Sequence, residues 1–358
     1  MGNGAAGVTI YDVAQAAGVS IKTVSRVING APNVRPGTAA AVQRAIDDLG
    51  YRPNAAARSL AAGRNDTIGV IVDRLQDPFF GQIVAVAEAR ALELGMDVLV
   101  ASTGVEGHRA TAHLARLVQR GVAGMLIAPF GDDDPIWREI PRDRPVVLID
   151  RRCGVQGLDV VRADDEQAAK AAVEHLITHG HKRIAFLGAP LRFSTVSDRL
   201  DGYLAALAAH GIPADPTIIE TQCADATDST QLLRPRLDAA APPTAVFSST
   251  PMIAEGVVRA LALAGRRDVA HVAFGDFPLA DVTSPPTTVI DQCPETLAHA
   301  AMDRLLARIS GTELAPEDIV LPTRLIPRGS GELLPPPNAP QTRNDMKRTK
   351  VKAMEVRQ

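Results

Sequence analysis

The sequence predicts an α/β protein in which a small all-helical head precedes a long core of parallel sheets covered by helices. Three observations carry this reading. Residues 8–52 hold three short stretches of helical periodicity punctuated by Gly18, Gly30 and Gly50. From Thr67 onward, short β-rich runs alternate with amphipathic helical stretches, the pattern of parallel strands joined by helices. Charge is divided in the same way. Residues 1–64 carry seven Lys/Arg against three acids, and residues 335–358 carry six against two, so each segment has a surplus of four positive charges. The net charge of the 358 residues is −3, which leaves −11 for the stretch between them. A basic head on an acidic body is the asymmetry expected of a polyanion binder joined to a separate sensing module.

The first helix starts at Thr9, whose spacing to Asp12 is that of an S/T-x-x-acid helix start, and it stops at Gly18. Ser20 is the N-cap expected of a second helix over residues 20–30, SIKTVSRVING. Val24, Val27 and Ile28 give that helix one apolar face, and Lys22, Ser25, Arg26 and Asn29 lie mostly on the others. Two short helices joined by a tight Gly-containing turn are a helix-turn-helix, whose second helix enters the major groove of DNA. A third helix over residues 38–49 turns Ala41, Val42, Ala45, Ile46 and Leu49 to the packing side and ends at Gly50. Residues 53–65 form a connection in which Pro53 suits a helix entry and residues 54–62 are good helix formers. Nine residues are too few to hold a helix alone in water, so this segment is expected to be helical only when held by DNA and a symmetry mate.

In the core, residues 66–330, strands are expected at 68–72, 97–101, 125–128, 146–149, 183–187, 245–247 and 269–274. Helices are expected to begin near Phe79, Gly107, Asp164, Ser197, Thr227, Ile253 and Pro294. The series is long enough for two lobes, and a ligand is expected at the carboxyl ends of the strands. Residues 331–358 are Pro-rich and then Lys/Arg-rich without an apolar heptad, and are expected to be a disordered basic tail.

Several classes are set aside. Cys153, Cys223 and Cys293 stand seventy residues apart with no CxxC, which fits a reducing cytoplasm. No run of eighteen apolar residues and no charged-then-apolar leader is present, so a cytoplasmic protein without membrane contact is expected. Gly2, Gly4 and Gly7 match GxGxxG formally, but no strand precedes them, and residues 1–7 read as a flexible N-terminus. No nucleophile elbow, P-loop or catalytic triad occurs, so no catalytic residue and no cofactor is assigned, and an enzyme is not expected. His175 and His179 have metal-ligand spacing beside His181, but nothing specific supplies the further ligands a zinc site needs. They suit a helix C-terminus, where positive charge is favoured, and residues 132–134 read as an acidic surface loop.

The runs TIYDVAQAAGVSIKTVSRVING, VRPGTAAAVQRAIDDLGYRPNAAARSLAAGR and TIGVIV closely resemble the lactose/galactose repressor (LacI/GalR-type) family of bacterial transcription regulators. The similarity continues through HLITHGHKRIAFLG, DRLDGY, PTAVF, FGDFPLAD and LPTRLIPRGS, covering roughly residues 8–330, with the first sixty residues the most diagnostic. The resemblance implies a ligand-responsive repressor with a core like a periplasmic sugar-binding protein, its chain crossing between lobes near Arg162, Ile290 and Leu321. The implied partners are a near-palindromic double-stranded operator, a sugar or sugar-derived effector and a second copy of the chain. Some members become tetramers through a C-terminal coiled coil, and the missing heptad here points to a homodimer. The alternative from another class is a sugar-binding or sugar-modifying protein without operator-specific DNA binding.

For the DNA face, the resemblance matches Ile21, Lys22 and Arg26 to positions that read base edges. Arg26 suits a bidentate contact to guanine, Lys22 a guanine acceptor or a phosphate, and Ile21 a thymine methyl. Ser20, Thr23, Ser25 and Asn29 are cast as phosphate clamps. Leu60 matches the hinge residue that wedges into the minor groove, usually at a central CpG step; the bland reading has it packed on the body. For the effector, the matches are Asp73, Phe79, Phe80, Asp150, Arg199, Phe247 and Asp276. Aromatic rings stack on a sugar or base, while carboxylates and Arg bond its hydroxyls or charges. Alternatives stand beside them: helix-start packing for Phe79 and Phe80, a strand-end cap for Asp150, a structural ion pair for Arg199. Two departures from the family pattern are Gly275, where many relatives carry an Asp, and Pro251, where they often carry Asn or Asp, so the ligand is expected to differ from a simple neutral hexose.

Overall fold

The computed structural model of the chain describes residues 8–28, 31, 33–51, 66–104, 109–131, 140 and 144–337. Asn29, the connection at 54–62 with Leu60, residues 1–7, the acidic loop at 132–134 and the tail from 338 therefore lie outside the described residues.

The chain forms two units, one ending at Asp66 and one beginning at Thr67. The first holds helices α1 (Ile10–Ala17), α2 (Ile21–Ile28) and α3 (Pro36–Leu49). Asp12 reaches back to the Thr9 backbone N–H (2.7 Å), and that bond holds its carboxyl below the ordinary range. The Ser20 hydroxyl accepts from the Thr23 N–H (3.2 Å), so α2 starts at the expected cap. Gly18 and Gly50 close α1 and α3 in the left-handed conformation. Val13, Ala14, Val24, Val42 and Ala45 form the core, with Ile10, Val27, Ile28, Ile46 and Tyr51 packed around it. α3 begins at Pro36 rather than Thr38, because proline suits the first helical turn, where no backbone donor is lost.

The second unit contains two six-stranded sheets. The first lobe takes β1 (Thr67–Val72), β2 (Asp97–Ser102), β3 (Gly124–Ile127), β4 (Val146–Ile149), β5 (Asp159–Ala163) and β11 (Asp318–Leu321), all parallel, in the order β11-β5-β4-β3-β1-β2. The second takes β6 (Ile184–Leu187), β7 (Ile219–Glu220), β8 (Ala245–Ser248), β9 (Ala270–Phe274), β10 (Thr288–Asp291) and β12 (Arg324–Ile326), in the order β12-β10-β9-β8-β6-β7. Only β12 runs antiparallel to its neighbour. The central strands are buried apolar runs, as strands covered on both faces must be. β5, β7, β10, β11 and β12 were not among the expected strands. Each is short or interrupted by a charged residue, as in DVVRA of β5, and is recruited by its neighbour's ladder rather than by its own pattern.

Helices cover both faces of each sheet. In the first lobe α4 (Pro78–Glu93) and α10 (Pro294–Ile309) bury Ile83, Ala87, Leu297, Ala301 and Leu305 against Ile68, Val70, Leu126 and Val147. The opposite face meets Leu114 and Leu117 of α5 (Ala110–Gln119). In the second lobe α6 (Asp165–Thr178) and α7 (Ser194–Ala209) pack on Phe186, Phe247 and Phe274. The other face is covered by α8 (Ala226–Leu237) and α9 (Pro251–Ala264). α8 and α9 meet at Gly256, where any Cβ would stand 1.9 Å from the Ser229 hydroxyl and 2.3 Å from the Ala226 carbonyl. α9 begins at Pro251, two residues before the expected start, because Thr250 caps it from the Ile253 N–H (3.3 Å) and proline takes the first position.

The chain passes between the lobes from β5 to α6, from β10 to α10 and from β11 to β12. Arg162 of β5 bonds Asp318 of β11 through two nitrogens (both 2.9 Å), and Arg324 of β12 bonds Asp291 of β10 (2.6 Å). These pairs fix neighbouring crossover strands to one another within each lobe.

Candidate DNA face and effector cleft

On the first unit, burying Val24 turns one side of α2 outward. Ser20, Ile21, Lys22 and Arg26 are exposed, and Thr23 and Ser25 are partly buried. Lys22 and Arg26 sit one turn apart, so both cations project from one helix face. The buried side holds the helix in its turn, which leaves the charged side available to a partner.

The candidate effector cleft lies between the two lobes of the second unit, where the strand order of each sheet reverses and the carboxyl ends of β1, β4, β6, β8 and β10 converge. Asp73 follows β1, Asp150 follows β4, and Phe79 and Phe80 open α4. Asp77 caps α4 by accepting from the Phe79 N–H (3.0 Å). Arg199 comes from α7, and Thr250, Pro251 and Gln292 from the ends of β8 and β10. The cavity in the cleft is about 60 Å³, whereas pockets that hold small ligands run from about 300 Å³ upward. The lobes must part, or side chains move, to admit one.

Arg151 fills the centre. Its two terminal nitrogens meet the two carboxylate oxygens of Asp73 at 3.0 and 2.8 Å, and its Nε lies 3.0 Å from Asp150 Oδ2. It also donates to the Pro129 carbonyl (3.0 Å). Its guanidinium lies 5.7 Å from the Phe80 ring centroid on its own lobe and 4.4 Å from that of Phe193 on the other. Burial opposes the Arg151 charge, but Asp73 and Asp150 hold it firmly protonated. Asp150 is strained as well as buried: its φ of 73° is left-handed, a conformation that costs a residue other than glycine about 1–3 kcal/mol. Burial raises its pKa against the pull of Arg151 and Arg199, and burial lifts Asp77 to about 6.

Arg199 lines the cleft and is also a buried ion pair. Its Nε and Nη2 lie 2.7 and 2.6 Å from Asp165 Oδ1, its Nη1 donates to the Ser249 carbonyl (2.6 Å), and its guanidinium lies 3.8 Å from the Phe274 ring centroid. Burial raises Asp165 to about 7 despite this partner. The cleft and packing readings of Arg199 therefore coexist in one side chain.

Two expected residues stand elsewhere. Phe247 is wholly buried between Phe186 (5.9 Å) and Phe274 (6.4 Å), on the face of β8 that α6 and α7 cover. The cleft begins only after that strand ends, at Thr250. Asp276 is outside the cleft lining, on Arg328 (2.8 Å), with its side chain 42% exposed. Conversely, Arg151, Phe193, Thr250 and Gln292 were missed. Arg151 carried a usable signal, since it directly follows Asp150 at a strand's carboxyl end; the other three come from loops without a chemical signature. In the His cluster, His175 bonds Glu332 (2.5 Å) and its ring lies tilted against that of His179 (centroids 4.6 Å apart), and His181 is buried between the Thr244 hydroxyl and the Leu333 carbonyl.

A helix-turn-helix head joined to a core whose two lobes close over a polar cleft defines a ligand-responsive, DNA-binding transcription regulator. Comparison with known proteins makes this specific. A family model described as "Bacterial regulatory proteins, lacI family" matches residues 9–54, and one described as "Periplasmic binding proteins and sugar binding domain of LacI family" matches residues 65–328. The chain belongs to the LacI family of bacterial regulators. It is 34% identical over 336 residues to the HTH-type transcriptional regulator CelR of Thermobifida fusca, covering 90% of this chain and 98% of that protein. The ribose operon repressor of Escherichia coli K12 is 32% identical over 328 residues, covering 90% and 99%. The lac repressor dimer bound to operator and the anti-inducer ONPF superposes with a TM-score of 0.80 at 31% identity, covering 91% of this chain and 99% of that one. A CelR–cellobiose complex superposes with a TM-score of 0.69 at 31% identity, covering 90% and 99%. No helix among the described residues is long and apolar enough to cross a membrane.

Proposed function

We propose that the protein is a cytoplasmic, non-enzymatic repressor that binds a near-palindromic operator as a homodimer and is controlled by a sugar or sugar-derived metabolite. The observation that carries the reading is the pairing of an outward cationic helix face with a second unit whose aromatic, carboxylate and guanidinium groups converge on one cleft. Arg26 and Lys22 read base edges with Ile21, while Ser20, Thr23, Ser25 and Asn29 hold phosphates and Leu60 wedges into the minor groove. In the cleft, Phe79 and Phe80 supply an apolar platform, and Asp73, Asp150, Arg151, Arg199 and Gln292 meet the effector's polar groups. Relatives named for cellobiose and ribose support a sugar effector, and the lac repressor dimer on its operator supports the dimeric DNA complex.

Effector binding changes how the two lobes close, and the change reaches DNA through residues 53–65. Linkage then requires that effector and operator alter each other's affinity by one factor. The test is a mobility shift with DNA flanking the protein's own gene. Sequence-dependent binding that weakens steeply with salt is expected, and equal binding to scrambled DNA rejects the proposal.

A further inference from the structure

The two walls of the cleft differ in chemistry. The first lobe presents Asp73, Asp77 and Asp150 with Arg74 and Arg151, five charged side chains beside the Phe79 and Phe80 rings. The second presents Ala189, Val196, Cys223, Ala224, Pro251 and Met252. Its polar groups are Thr195, Thr250, Gln292 and Arg199, and three Arg199 nitrogens already serve Asp165 and Ser249. The Thr250 hydroxyl is likewise engaged at the start of α9.

The apolar character is built into the backbone at one corner. Gly275, at the carboxyl end of β9, has φ 86°, and a Cβ there would stand 2.7 Å from Pro251 Cγ and 3.0 Å from Gln292 Oε1. Pro251 is itself fixed as the first residue of α9. No side chain fits at 275 while that ring is in place, so no carboxylate or hydroxyl reaches the ligand from this strand end. Only the neutral amide of Gln292, 4% exposed, remains. Charge gives a second constraint. With Asp165 counted behind Arg199, four carboxylates face three guanidinium groups, each of which already meets a protein acceptor. An anion entering here would have to compete with Asp73 for Arg151 and with Asp165 for Arg199.

We propose, on the sugar-effector reading above, that the effector is an uncharged deoxy sugar: hydroxyls face the first-lobe carboxylates and Arg151, and the deoxygenated or methyl-bearing edge rests on Pro251 and Met252. A hydroxyl on that edge would exchange water for little more than the Gln292 amide. An apolar pocket rejects an added hydroxyl by about 100-fold at most, so a preference of about 10- to 100-fold is expected.

The test uses the full-length protein and sugar pairs that differ by one hydroxyl: galactose and fucose, mannose and rhamnose of matched configuration, glucose and quinovose, ribose and 2-deoxyribose, together with galacturonate. Kd is measured by calorimetry, and operator affinity by fluorescence anisotropy with each sugar present. The proposal expects one deoxy member to bind at least about tenfold more tightly than its parent and to shift operator affinity. It also expects Pro251→Asn to narrow that ratio to under about threefold, mainly by improving the parent. Equal or tighter binding of the parent overturns the deoxy assignment while leaving a sugar effector standing, and tightest binding by galacturonate overturns the charge assignment. If no sugar binds or moves operator affinity, the sugar-effector reading fails, and this proposal with it.

Discussion

Replacing Arg151 with Met removes the cation around which the cleft is closed and keeps most of its apolar stem. Asp73, 8% exposed, and Asp150, 5% exposed, then face each other near Asp77 without their shared guanidinium. Breaking a buried ion pair from one side costs about 3–5 kcal/mol. A kilocalorie moves the melting temperature of a unit this large by about 2–4 °C, so a drop of roughly 10 °C at pH 7 is expected. The deficit depends on pH with a definite sign. Burial already holds the folded-state pKa of Asp150 above its unfolded value near 3.8, and losing Arg151, which pulls it down, raises it further. The penalty is therefore complete above the new folded pKa and vanishes as pH falls below the unfolded one. Scanning calorimetry of wild type and variant from pH 4 to 8 reads both features. A drop under about 3 °C at pH 7, or a larger one unchanged down to pH 4, would refute the clamp.

Other expectations follow from the same geometry. Asp165 has a folded pKa of about 7, above its unfolded value, so it lowers stability as pH rises from about 4 to 7. Asp165→Asn should remove that part of the slope, and parallel wild-type and variant profiles would argue against it. Phe247→Ala should cost about 3–5 kcal/mol in denaturant unfolding, since it empties the Phe186–Phe274 core. Effector selectivity should stay the same, and a changed sugar preference would return Phe247 to the cleft. Arg26→Ala should cost about 1–3 kcal/mol on the cognate operator. An equal loss on scrambled duplex would reduce Arg26 to a phosphate contact.

What the sequence disclosed follows from the range of the forces involved. The head was legible almost to the residue because caps, turn glycines and a 3.6-residue period are local, as at Thr9, Ser20 and Gly50. The central strands were legible because strands covered on both faces must be continuously apolar. Edge and crossover strands such as β7, β11 and β12 were not, since a neighbour's ladder supplies their order. In the cleft, Asp73, Phe79, Phe80, Asp150 and Arg199 meet as family matching suggested. Phe247 lies one strand end short of the cleft lining, where a single step separates core from cleft. Asp276 lies outside because Arg328, 52 residues away, holds its carboxylate, and no local pattern announces such a partner. The reach of Arg151 to Asp73, 78 residues apart, was hidden for the same reason.

The central claim is that one chain couples a cleft ligand to an operator. The direct measurement is the affinity of the full-length protein for an operator selected from a random duplex pool, by fluorescence anisotropy at two salt concentrations, with and without the sugar that binds it most tightly. The account predicts a near-palindromic site, binding that weakens with salt, and a ligand-induced change of at least about fivefold. It also predicts that Arg199→Ala abolishes the change while leaving ligand-free operator affinity intact. A sugar that saturates the cleft yet leaves operator affinity unchanged would contradict it.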